Sequence, residues 1–290
     1  MRISVITPVF NCSRYIADAI ESVLLQNCRD FEHVVVDGGS TDGTLDILKK
    51  YKHLKWISEP DNGQSDAMNK GFKMSTGDIV VYLNADDYFL HDAFTAVLPC
   101  FEQGANFVVG KILVMKYDGT QWINDAMVSH EAMLRHWKRQ SFCVNPVGYF
   151  YRREVQESVN GFNVENHFAM DLEFLLDCSK KYSFTKIDNA PLLGVFRNIR
   201  NTKTESIKAG MSHYWSEENF SFINRFLSEM PEEYSRKFIK ERKRGYKTRI
   251  ISDKLEQPNI PSLVYFCLRA KLFFLSENRI SSGINYFFGK

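Results

Sequence analysis

The chain has 290 residues, of which 44% are hydrophobic and 14% aromatic, so it can bury a substantial core and is not expected to be disordered. Its 37 basic and 35 acidic residues give a net charge of +2, which argues against a dedicated nucleic-acid-binding protein. Six cysteines without a C-x-x-C pair argue against a structural zinc site and a disulfide framework. Without a signal-peptide pattern or an apolar run of about 18 residues, we expect a soluble or peripherally attached intracellular protein.

The first hundred residues alternate between short apolar runs and segments with helical spacing. Ser13 is available as an N-cap for the first helix. Because strands and helices alternate with short loops, the pattern predicts an α/β protein with a parallel sheet. The predicted strands are 3–9, 31–36, 54–58 and 79–83, and the predicted helices are 16–24, 44–51 and 65–74.

The middle of the chain changes character. Residues 107–115 and 121–123 are predicted as strands on either side of a turn at 117–120. Residues 169–176 form an amphipathic helix with an acid near its start. Strand patterns end near residue 200, and about three helices with basic stretches are expected beyond it. We therefore divide the chain into residues 1–200, with halves 1–100 and 101–200, and a helical region 201–290.

Polar clusters follow four of the predicted strands. Phe10 and Asn11 follow the first, and residues 37–42, 59–66 and 84–87 follow the others. Ligands of open parallel sheets bind outside the carboxyl ends of the strands. The four loops therefore predict one site at this edge.

The acids in the loops 84–87 and 37–42 indicate what each loop could bind. Adjacent carboxylates such as Asp86 and Asp87 repel each other unless a cation or hydrogen-bond donors compensate them, and Mg²⁺ and Mn²⁺ favour such oxygen ligands. An ordinary turn is the alternative. The Asp37 loop fits neither a dinucleotide fingerprint nor a phosphate-binding loop of the G-K-[ST] type. It could equally be a turn in which Ser40 or Thr41 caps the next helix.

Four segments in these loops resemble family 2 glycosyltransferases, in particular enzymes of bacterial polysaccharide and lipopolysaccharide synthesis. They occur in the expected order, at 6–11, 32–44, 58–71 and 82–87. The resemblance is strong over residues 1–90 and loose over 140–176. It implies a GT-A fold, a mostly parallel nucleotide-sugar-binding sheet flanked by helices, with a helical C-terminal extension. Residues 1–100 would then bind the nucleotide-sugar and 101–200 the acceptor.

The resemblance also implies roles for individual residues. Phe10 would lie near the base, and Asp37 would accept hydrogen bonds from the base or the ribose. Asp86 would hold a divalent cation, Mn²⁺ or Mg²⁺, on the diphosphate. Many relatives have Asp where this chain has Asn84, so metal affinity would be lower unless Asp87 compensates. The implied nucleotide-sugar site consists of Thr7, Pro8, Phe10, Asn11, Asp37, Gly38, Ser40, Asp66, Asn69, Lys70, Asn84, Ala85 and Asp86.

Family members invert the anomeric centre, and this needs a general base that takes the proton of the acceptor hydroxyl. In the family this acid opens a helix after the acceptor-binding segment. Asp171 fits that position best, and Glu173 is the second candidate. The alternatives are that Asp171 is an N-cap and that Glu173 is a solvated first-turn acid.

The C-terminal region carries an excess of positive charge. Residues 236–254 contain nine basic and two acidic side chains, and the apolar stretches 263–268 and 272–275 follow. A basic segment with an aromatic-rich helix suits docking of residues 236–275 on an anionic membrane surface. The alternatives are a solvated helix face and packing on the catalytic domain or on another subunit.

Together these features predict a metal-dependent, inverting glycosyltransferase. It would move a sugar, such as a hexose or an N-acetylhexosamine, from a nucleotide-sugar, preferably a UDP-sugar, to a glycan or lipid-linked acceptor of a bacterial surface polysaccharide. It would act in the cytoplasm or on the inner face of the cell membrane, without nucleic acid, and a homo-oligomer stays open. The alternatives are a sugar-phosphate nucleotidyltransferase and a non-catalytic relative that binds nucleotide-sugar or glycan.

Overall fold

The computed structural model describes residues 1–136, 138, 140–187, 191–199, 220–255 and 261–275. The chain divides into two compact units. The first comprises Met1–His136 and Gln140–Arg200, and the second comprises Trp137–Arg139 and Asn201–Lys290.

The described part of the first unit is an α/β structure. Its elements in chain order are β1 (Ile3–Val9), α1 (Ile16–Leu24), β2 (Phe31–Asp37), α2 (Thr44–Leu48), β3 (Leu54–Ser58), α3 (Gln64–Met74), β4 (Ile79–Tyr82), β5 (Tyr88–Phe89), α4 (Ala93–Glu102), β6 (Phe107–Val109), β7 (Ile112–Lys116), β8 (Gln121–Asn124), α5 (His130–Leu134), a short 3₁₀-helix (Pro146–Gly148), β9 (Tyr149–Arg152), α6 (Arg153–Ser158), α7 (Met170–Lys181), β10 (Phe184–Lys186) and β11 (Gly194–Asn198).

The larger sheet has seven strands in the order β10-β6-β9-β4-β1-β2-β3. Neighbouring strands from β4 to β3 in this order are parallel, β10 is parallel to β6, and β9 runs antiparallel to both of its neighbours. All seven residues of β1 and all four of β4 are buried, as expected for strands covered on both faces. The predicted mostly parallel α/β sheet is confirmed.

Helices α1, α2, α3 and α7 differ from the predictions only at their ends, whereas α4, α5 and α6 have no counterpart among the predicted helices. Ser13 does not cap α1, whose N-cap residue is Tyr15 without a side-chain hydrogen bond. The Ser13 backbone N–H instead donates to Asp42 Oδ2 at 2.8 Å, so a contact between loops holds Ser13 outside the helix. Helix α2 ends at Leu48 rather than at the predicted residue 51.

The smaller sheet has the order β5-β11-β7-β8, and β7 and β8 form the predicted antiparallel hairpin. The prediction of a single strand over 107–115 is wrong, because the chain leaves the larger sheet after β6 and enters the smaller sheet at β7. Strand β5 begins directly after Asp87 and pairs with β11, so Tyr88 lies opposite Val195. The turn that carries the two adjacent acids therefore joins the two sheets.

In the second unit the structure describes α8 (Ile223–Leu227), α9 (Glu232–Leu255) and α10 (Ser262–Leu275). Helices α9 and α10 pack against each other. Residues 256–260 of the predicted membrane-docking segment lie outside the described residues. None of the helices in the described ranges has the length and apolar character that crossing a membrane requires.

Candidate functional site

Hydrogen bonds hold together the loops that follow β1 and β2. Asn11 adopts a left-handed backbone conformation with φ of 48°. Its backbone N–H donates to Ser40 Oγ at 2.7 Å, and its Oδ1 accepts from the Thr41 N–H at 2.8 Å. Next to it, Phe10 is 63% exposed at the end of a buried strand. An exposed ring on a rigid loop offers a flat surface on which a planar ligand can stack.

Asp37 is fully buried at the carboxyl end of β2. Its Oδ2 accepts hydrogen bonds from the N–H groups of Gly39 and Ser40, at 3.0 and 2.9 Å, and from Ser58 Oγ at 2.6 Å. Its Oδ1 is buried and accepts no hydrogen bond from any residue that the structure describes. One carboxylate oxygen of Asp37 therefore stabilises the turn, and the other can still accept a hydrogen bond.

Asp61 lies beside this turn and is a site residue that the sequence analysis missed. A Cβ on Gly38 would lie 2.5 Å from Asp61 Oδ2, so the Asp61 carboxylate fills the space that a side chain at residue 38 would occupy. Asp61 Oδ1 accepts from the Gly63 N–H at 2.8 Å. The signal was its place in the polar loop 59–66, but only the fold brings it to Gly38.

The two adjacent acids after β4 have different surroundings. Asp87 is completely buried, and its Oδ1 accepts from the Arg197 backbone N–H at 2.8 Å. Its Oδ2 accepts from Asn145 Nδ2 at 2.8 Å and from Asn84 Nδ2 at 3.1 Å. Asn84 in turn accepts from Gln64 Nε2 at 2.8 Å. The side chains of Asp87 and Asn84 therefore both hold the turn in place.

Asp86 is half-buried, and no described side chain donates a hydrogen bond to its carboxylate. Burial raises its pKa, and a hydrogen bond from its own backbone N–H and the positive charge of Arg197 partly offset this effect. Burial also raises the pKa of Asp87 well above its usual value, and the charge of Asp86 adds to the shift. A buried carboxylate pair in which one member has no side-chain donor among the described residues favours an added cation.

Arg197 in β11 is a second site residue that the sequence analysis missed. Its Nε donates to the backbone carbonyl oxygen of Asp86, and its Nη1 donates to Asp18 Oδ2 at 2.6 Å. Its guanidinium carbon lies 4.8 Å from the ring centroid of Tyr15 and 5.0 Å from that of Tyr88. Arg197 thus connects the acidic turn to α1, and no local sequence pattern indicates this.

Several predicted nucleotide-sugar residues are buried beneath the site rather than exposed in it. Thr7 Oγ1 is fully buried and lies 2.9 Å from His33 Nε2. Pro8 and Ala85 are buried as well. Asn69 donates to the Phe162 carbonyl at 2.8 Å and accepts from the Phe162 N–H at 2.9 Å, so both ends of its amide hold the loop before α7. These contacts give Thr7 and Asn69 structural roles.

Asp66 and Lys70 lie one turn apart on α3. Lys70 Nζ is 3.3 Å from Asp66 Oδ2 and 2.9 Å from Glu59 Oε1. Asp66 Oδ2 also accepts from the Asn62 N–H at 3.0 Å, and this hydrogen bond is the main cause that lowers the pKa of Asp66. The group stabilises the loop between β3 and α3, at the same edge of the sheet as Asp37.

The two candidate bases at the start of α7 are distinguished by burial. Glu173 is only 3% exposed, and Oε2 accepts from Asn166 Nδ2 at 2.7 Å and lies 3.3 Å from Asn163 Nδ2. Asp171 is half-buried and accepts from the Tyr149 hydroxyl at 3.1 Å. The N-cap residue of α7 is Ala169, so the alternative role of Asp171 as an N-cap is wrong.

The same segment connects Asp171 with the acidic turn. Strand β9 runs antiparallel to β4 with Val80 opposite Tyr151, so Tyr149 lies towards the carboxyl end of β4. Four residues earlier, Asn145 donates to Asp87. Residues 145–149 thus contact both Asp87 and Asp171 at one edge of the sheet.

The residues at this edge fit a divalent cation for which the protein supplies only one or two of the coordinating groups and a bound substrate supplies others. Among the described residues no group of three or more His, Cys, Asp or Glu side chains could hold a metal by itself. Mg²⁺ and Mn²⁺ often bind through one or two carboxylates, with substrate phosphates and water as the other ligands. Asp86 can supply such a carboxylate, whereas Asp87 already accepts three hydrogen bonds.

Comparison with known proteins agrees with this arrangement. Residues 4–159 match the model of the glycosyl transferase family 2. An uncharacterised glycosyltransferase of Nostoc sp. is 33% identical over 173 residues, which cover 55% of this chain and 53% of that protein. A PGL/p-HBAD biosynthesis glycosyltransferase of Mycobacterium bovis is 28% identical over 183 residues, or 60% of this chain and 68% of that protein.

Two solved structures share the fold at low sequence identity. TarS of S. aureus, residues 1–349 in complex with UDP-GlcNAc, gives a TM-score of 0.63 at 17% identity over 96% of this chain and 82% of that one. A mannosyltransferase of Pyrobaculum calidifontis in complex with GDP-Man and Mn²⁺ gives 0.60 at 17% identity, covering 100% of this chain and 88% of that one. The chain belongs to the family 2 glycosyltransferases and has their GT-A fold.

Proposed function

We propose that the protein is a metal-dependent, inverting glycosyltransferase that uses a nucleotide-sugar, preferably a UDP-sugar, as donor. The observation that carries the proposal is Asp86, a half-buried carboxylate at the carboxyl end of β4 without a side-chain donor among the described residues. The Mn²⁺ and GDP-Man in the mannosyltransferase and the UDP-GlcNAc in TarS support the metal and donor classes.

In the proposed donor site, Phe10 stacks on the base and Asp37 Oδ1 accepts a hydrogen bond from the base or ribose. Asp86 would hold Mn²⁺ or Mg²⁺, and the cation would supply positive charge to stabilise the leaving diphosphate. Asp87 keeps the Asp86 turn in place instead of binding the metal, because its oxygens already accept hydrogen bonds from Arg197, Asn145 and Asn84.

We assign the general base to Asp171. Its carboxylate would take the proton of the acceptor hydroxyl while that oxygen attacks the anomeric carbon and the bond to the diphosphate breaks. The Tyr149 hydroxyl fixes the carboxylate from a buried position on β9. Glu173 is buried between two asparagines, so Asp171 is the better candidate.

The proposed acceptor is a hydroxyl of a glycan or lipid-linked intermediate in the synthesis of a bacterial surface polysaccharide. The relative from Mycobacterium bovis, whose name refers to PGL/p-HBAD biosynthesis, supports a biosynthetic acceptor. We place the reaction in the cytoplasm or on the inner face of the cell membrane. The support for a peripheral location is the excess of basic residues in 236–254.

The first test measures release of nucleoside diphosphate from a panel of UDP- and GDP-sugars, with and without Mn²⁺ and acceptor. We expect release of nucleoside diphosphate from one of the donors. This release should require the cation and should increase when acceptor is added.

Asp171→Asn should lower the rate of sugar transfer by at least about 1000-fold with nearly unchanged donor affinity, because proton transfer is lost and the donor contacts are kept. Calorimetry of donor binding and a rate assay separate the two effects, and transfer at the wild-type rate would reject the assignment.

The same assay tests the alternatives. When a sugar 1-phosphate and a nucleoside triphosphate replace the nucleotide-sugar, a sugar-phosphate nucleotidyltransferase would form a nucleotide-sugar and release pyrophosphate. A non-catalytic relative would bind a nucleotide-sugar with no release under any condition, in both the wild type and Asp171→Asn. Either result would replace the proposed function.

A further inference from the structure

Helix α9 has two faces of opposite character. Phe238, Arg242 and Tyr246, spaced four residues apart, are buried. The cationic face, defined as Arg236, Lys240, Lys243 and Lys247, is exposed along the same helix. Because these positions differ by three or four residues, the four side chains form one stripe. The helix therefore uses one side for packing and keeps a cationic stripe at the surface.

The stripe extends over several turns of the helix. It spans 12 residues, and at about 1.5 Å per residue its two ends are about 16 Å apart. An open groove of about 390 Å³ on this side is lined by Arg236, Ile239, Lys240, Lys243, Arg244 and Lys247. Glu232 lies 3.7 Å from Arg236 at the start of the stripe, and both side chains are largely exposed. Such a pair offsets little of the local positive charge.

An exposed apolar segment lies in the neighbouring helix of the same unit. Val264, Tyr265 and Phe266 near the start of α10 are 46%, 40% and 55% exposed. Three consecutive exposed apolar side chains on a helix are unusual on a protein surface, because their hydration is unfavourable. Side chains of this kind insert at the interface between lipid headgroups and acyl chains.

We propose that the cationic face of α9 docks the protein on anionic phospholipid headgroups, and that the apolar segment 264–266 inserts at the headgroup boundary. This inference rests on the membrane location in the proposed function, and it assigns that location to particular side chains. A stripe of about 16 Å exceeds a single phosphate group and matches a surface of repeated anionic headgroups. Nucleic acid would account for the charge, but not for the exposed apolar segment.

The test is co-sedimentation of the full chain with vesicles of phosphatidylcholine alone and of phosphatidylcholine mixed with phosphatidylglycerol. The test variant is Arg236→Gln/Lys240→Gln/Lys247→Gln. The matched control is Lys49→Gln/Lys50→Gln/Lys52→Gln, which removes three exposed positive charges from the first unit. Circular dichroism and gel filtration establish that each variant keeps the fold and the oligomeric state of the wild type.

We expect the wild type to bind only the anionic vesicles and to dissociate as salt is raised, because the attraction is screened. Each neutralised residue should lower the affinity for anionic vesicles about fivefold, so the test variant should bind on the order of 100-fold more weakly than the wild type. The control variant should bind these vesicles nearly as tightly as the wild type. Compared with the wild type, Tyr265→Ser should dissociate from the anionic vesicles at a lower salt concentration. The substitution removes part of the apolar contribution, which salt does not screen.

Three results would overturn the proposal. They are equal binding of the test variant and the wild type, equal loss in the control, and binding of a single-stranded oligonucleotide or inorganic phosphate as tightly as vesicles. If the wild type does not bind vesicles and the test variant has a changed oligomeric state, the cationic face is an interface with another subunit instead. If the test variant does not fold, the salt and lipid dependence of the wild type still decides.

The two proposals can fail separately. Asp171→Asn should keep vesicle binding, and the test variant should keep donor turnover with a water-soluble acceptor. Vesicle binding without sugar transfer would reject only the enzymatic assignment, and transfer without vesicle binding would reject only the docking surface.

Discussion

Asp86 and Asp87 are neighbours in the chain, but their carboxylates have different chemical capacities. Hydrogen bonds from Arg197, Asn145 and Asn84 compensate Asp87. Asp86 is left beside a fixed charge without a side-chain donor of its own in the described part of the chain. Holding one acid in place allows the other to meet a cation at little cost in reorganisation.

A substitution of Arg197 tests whether the position of the turn at Asp86 and Asp87 affects the proposed sugar transfer. We expect Arg197→Met to lower the transfer rate about 100-fold, because the Asp86 main chain loses its bond and small displacements at a reacting centre are costly. The free energy of unfolding should fall by about 2 kcal/mol, since the Asp86 carbonyl loses a charged donor. Steady-state kinetics and urea unfolding measure the two effects.

The matched control for this prediction is Arg14→Met. Arg14 lies 5.2 Å from the centroid of the same Tyr15 ring, but it is exposed. Its replacement should change stability by no more than about 0.5 kcal/mol and should leave the rate unaltered. Equal losses in the two variants would mean that stacking on Tyr15, rather than the bond to Asp86, is responsible.

His33 gives a prediction for the pH dependence of stability. Burial lowers the pKa of His33 to about 3. The unfolded chain binds this proton near pH 6.5, so the stabilisation is full above that pH and is lost as pH falls towards 3. His33→Gln should therefore reduce the slope of unfolding free energy against pH by up to about 1.4 kcal/mol per unit in this range.

Urea unfolding at several pH values from 6.5 downwards tests the His33 prediction. His91→Gln is the control, because His91 is largely exposed and pairs only with its neighbour Asp92 among the described residues. If the control flattens the pH profile as much as His33→Gln, the assignment to His33 is incorrect.

At the scale of elements, α3 connects the sheet with the loops of the candidate site. It packs closely on β1 at Gly71, where a Cβ would clash with Cγ2 of Ile6. The same helix carries Gln64, which orients Asn84, and Asp66, which holds the β3–α3 loop. A displacement of α3 would therefore reach two of the loops at the site.

Gly71→Ala tests this connection. We expect the free energy of unfolding to fall by about 1–3 kcal/mol, because the added methyl group overpacks the contact with β1. Donor affinity should fall as well, since the helix carries Gln64 and Asp66. Urea unfolding and calorimetry provide the two measurements. Lys73→Ala, an exposed change on the same helix, should alter stability by at most about 0.5 kcal/mol.

At the scale of the molecule, the small net charge is the result of cancellation. Residues 200–290 carry 17 basic and 10 acidic side chains, whereas the rest of the chain is acidic overall. A site that binds diphosphate through a cation tolerates acidic surroundings, and a surface that meets anionic lipid requires basic ones. The two compact units separate these needs, with the cationic face entirely on α9.

Local patterns in the sequence were enough to predict the central strands, their alternation with helices and the acids at their carboxyl ends. Apolar periodicity is a local property, and strands covered on both faces must be apolar throughout. This is why β1 has the predicted bounds and why the polar loops that follow the parallel strands lie at one edge of the sheet.

The tertiary structure decided which polar residues support the site and which can act in it. Arg197 reaches Asp87 across 110 residues, Asn69 reaches Phe162 across 93, and Asn166 buries Glu173. Sequence spacing does not encode these contacts, because they depend on which distant side chains meet after the sheets have packed. Hydrogen bonds from distant side chains separate Asp87 from Asp86, and burial separates Glu173 from the half-buried Asp171.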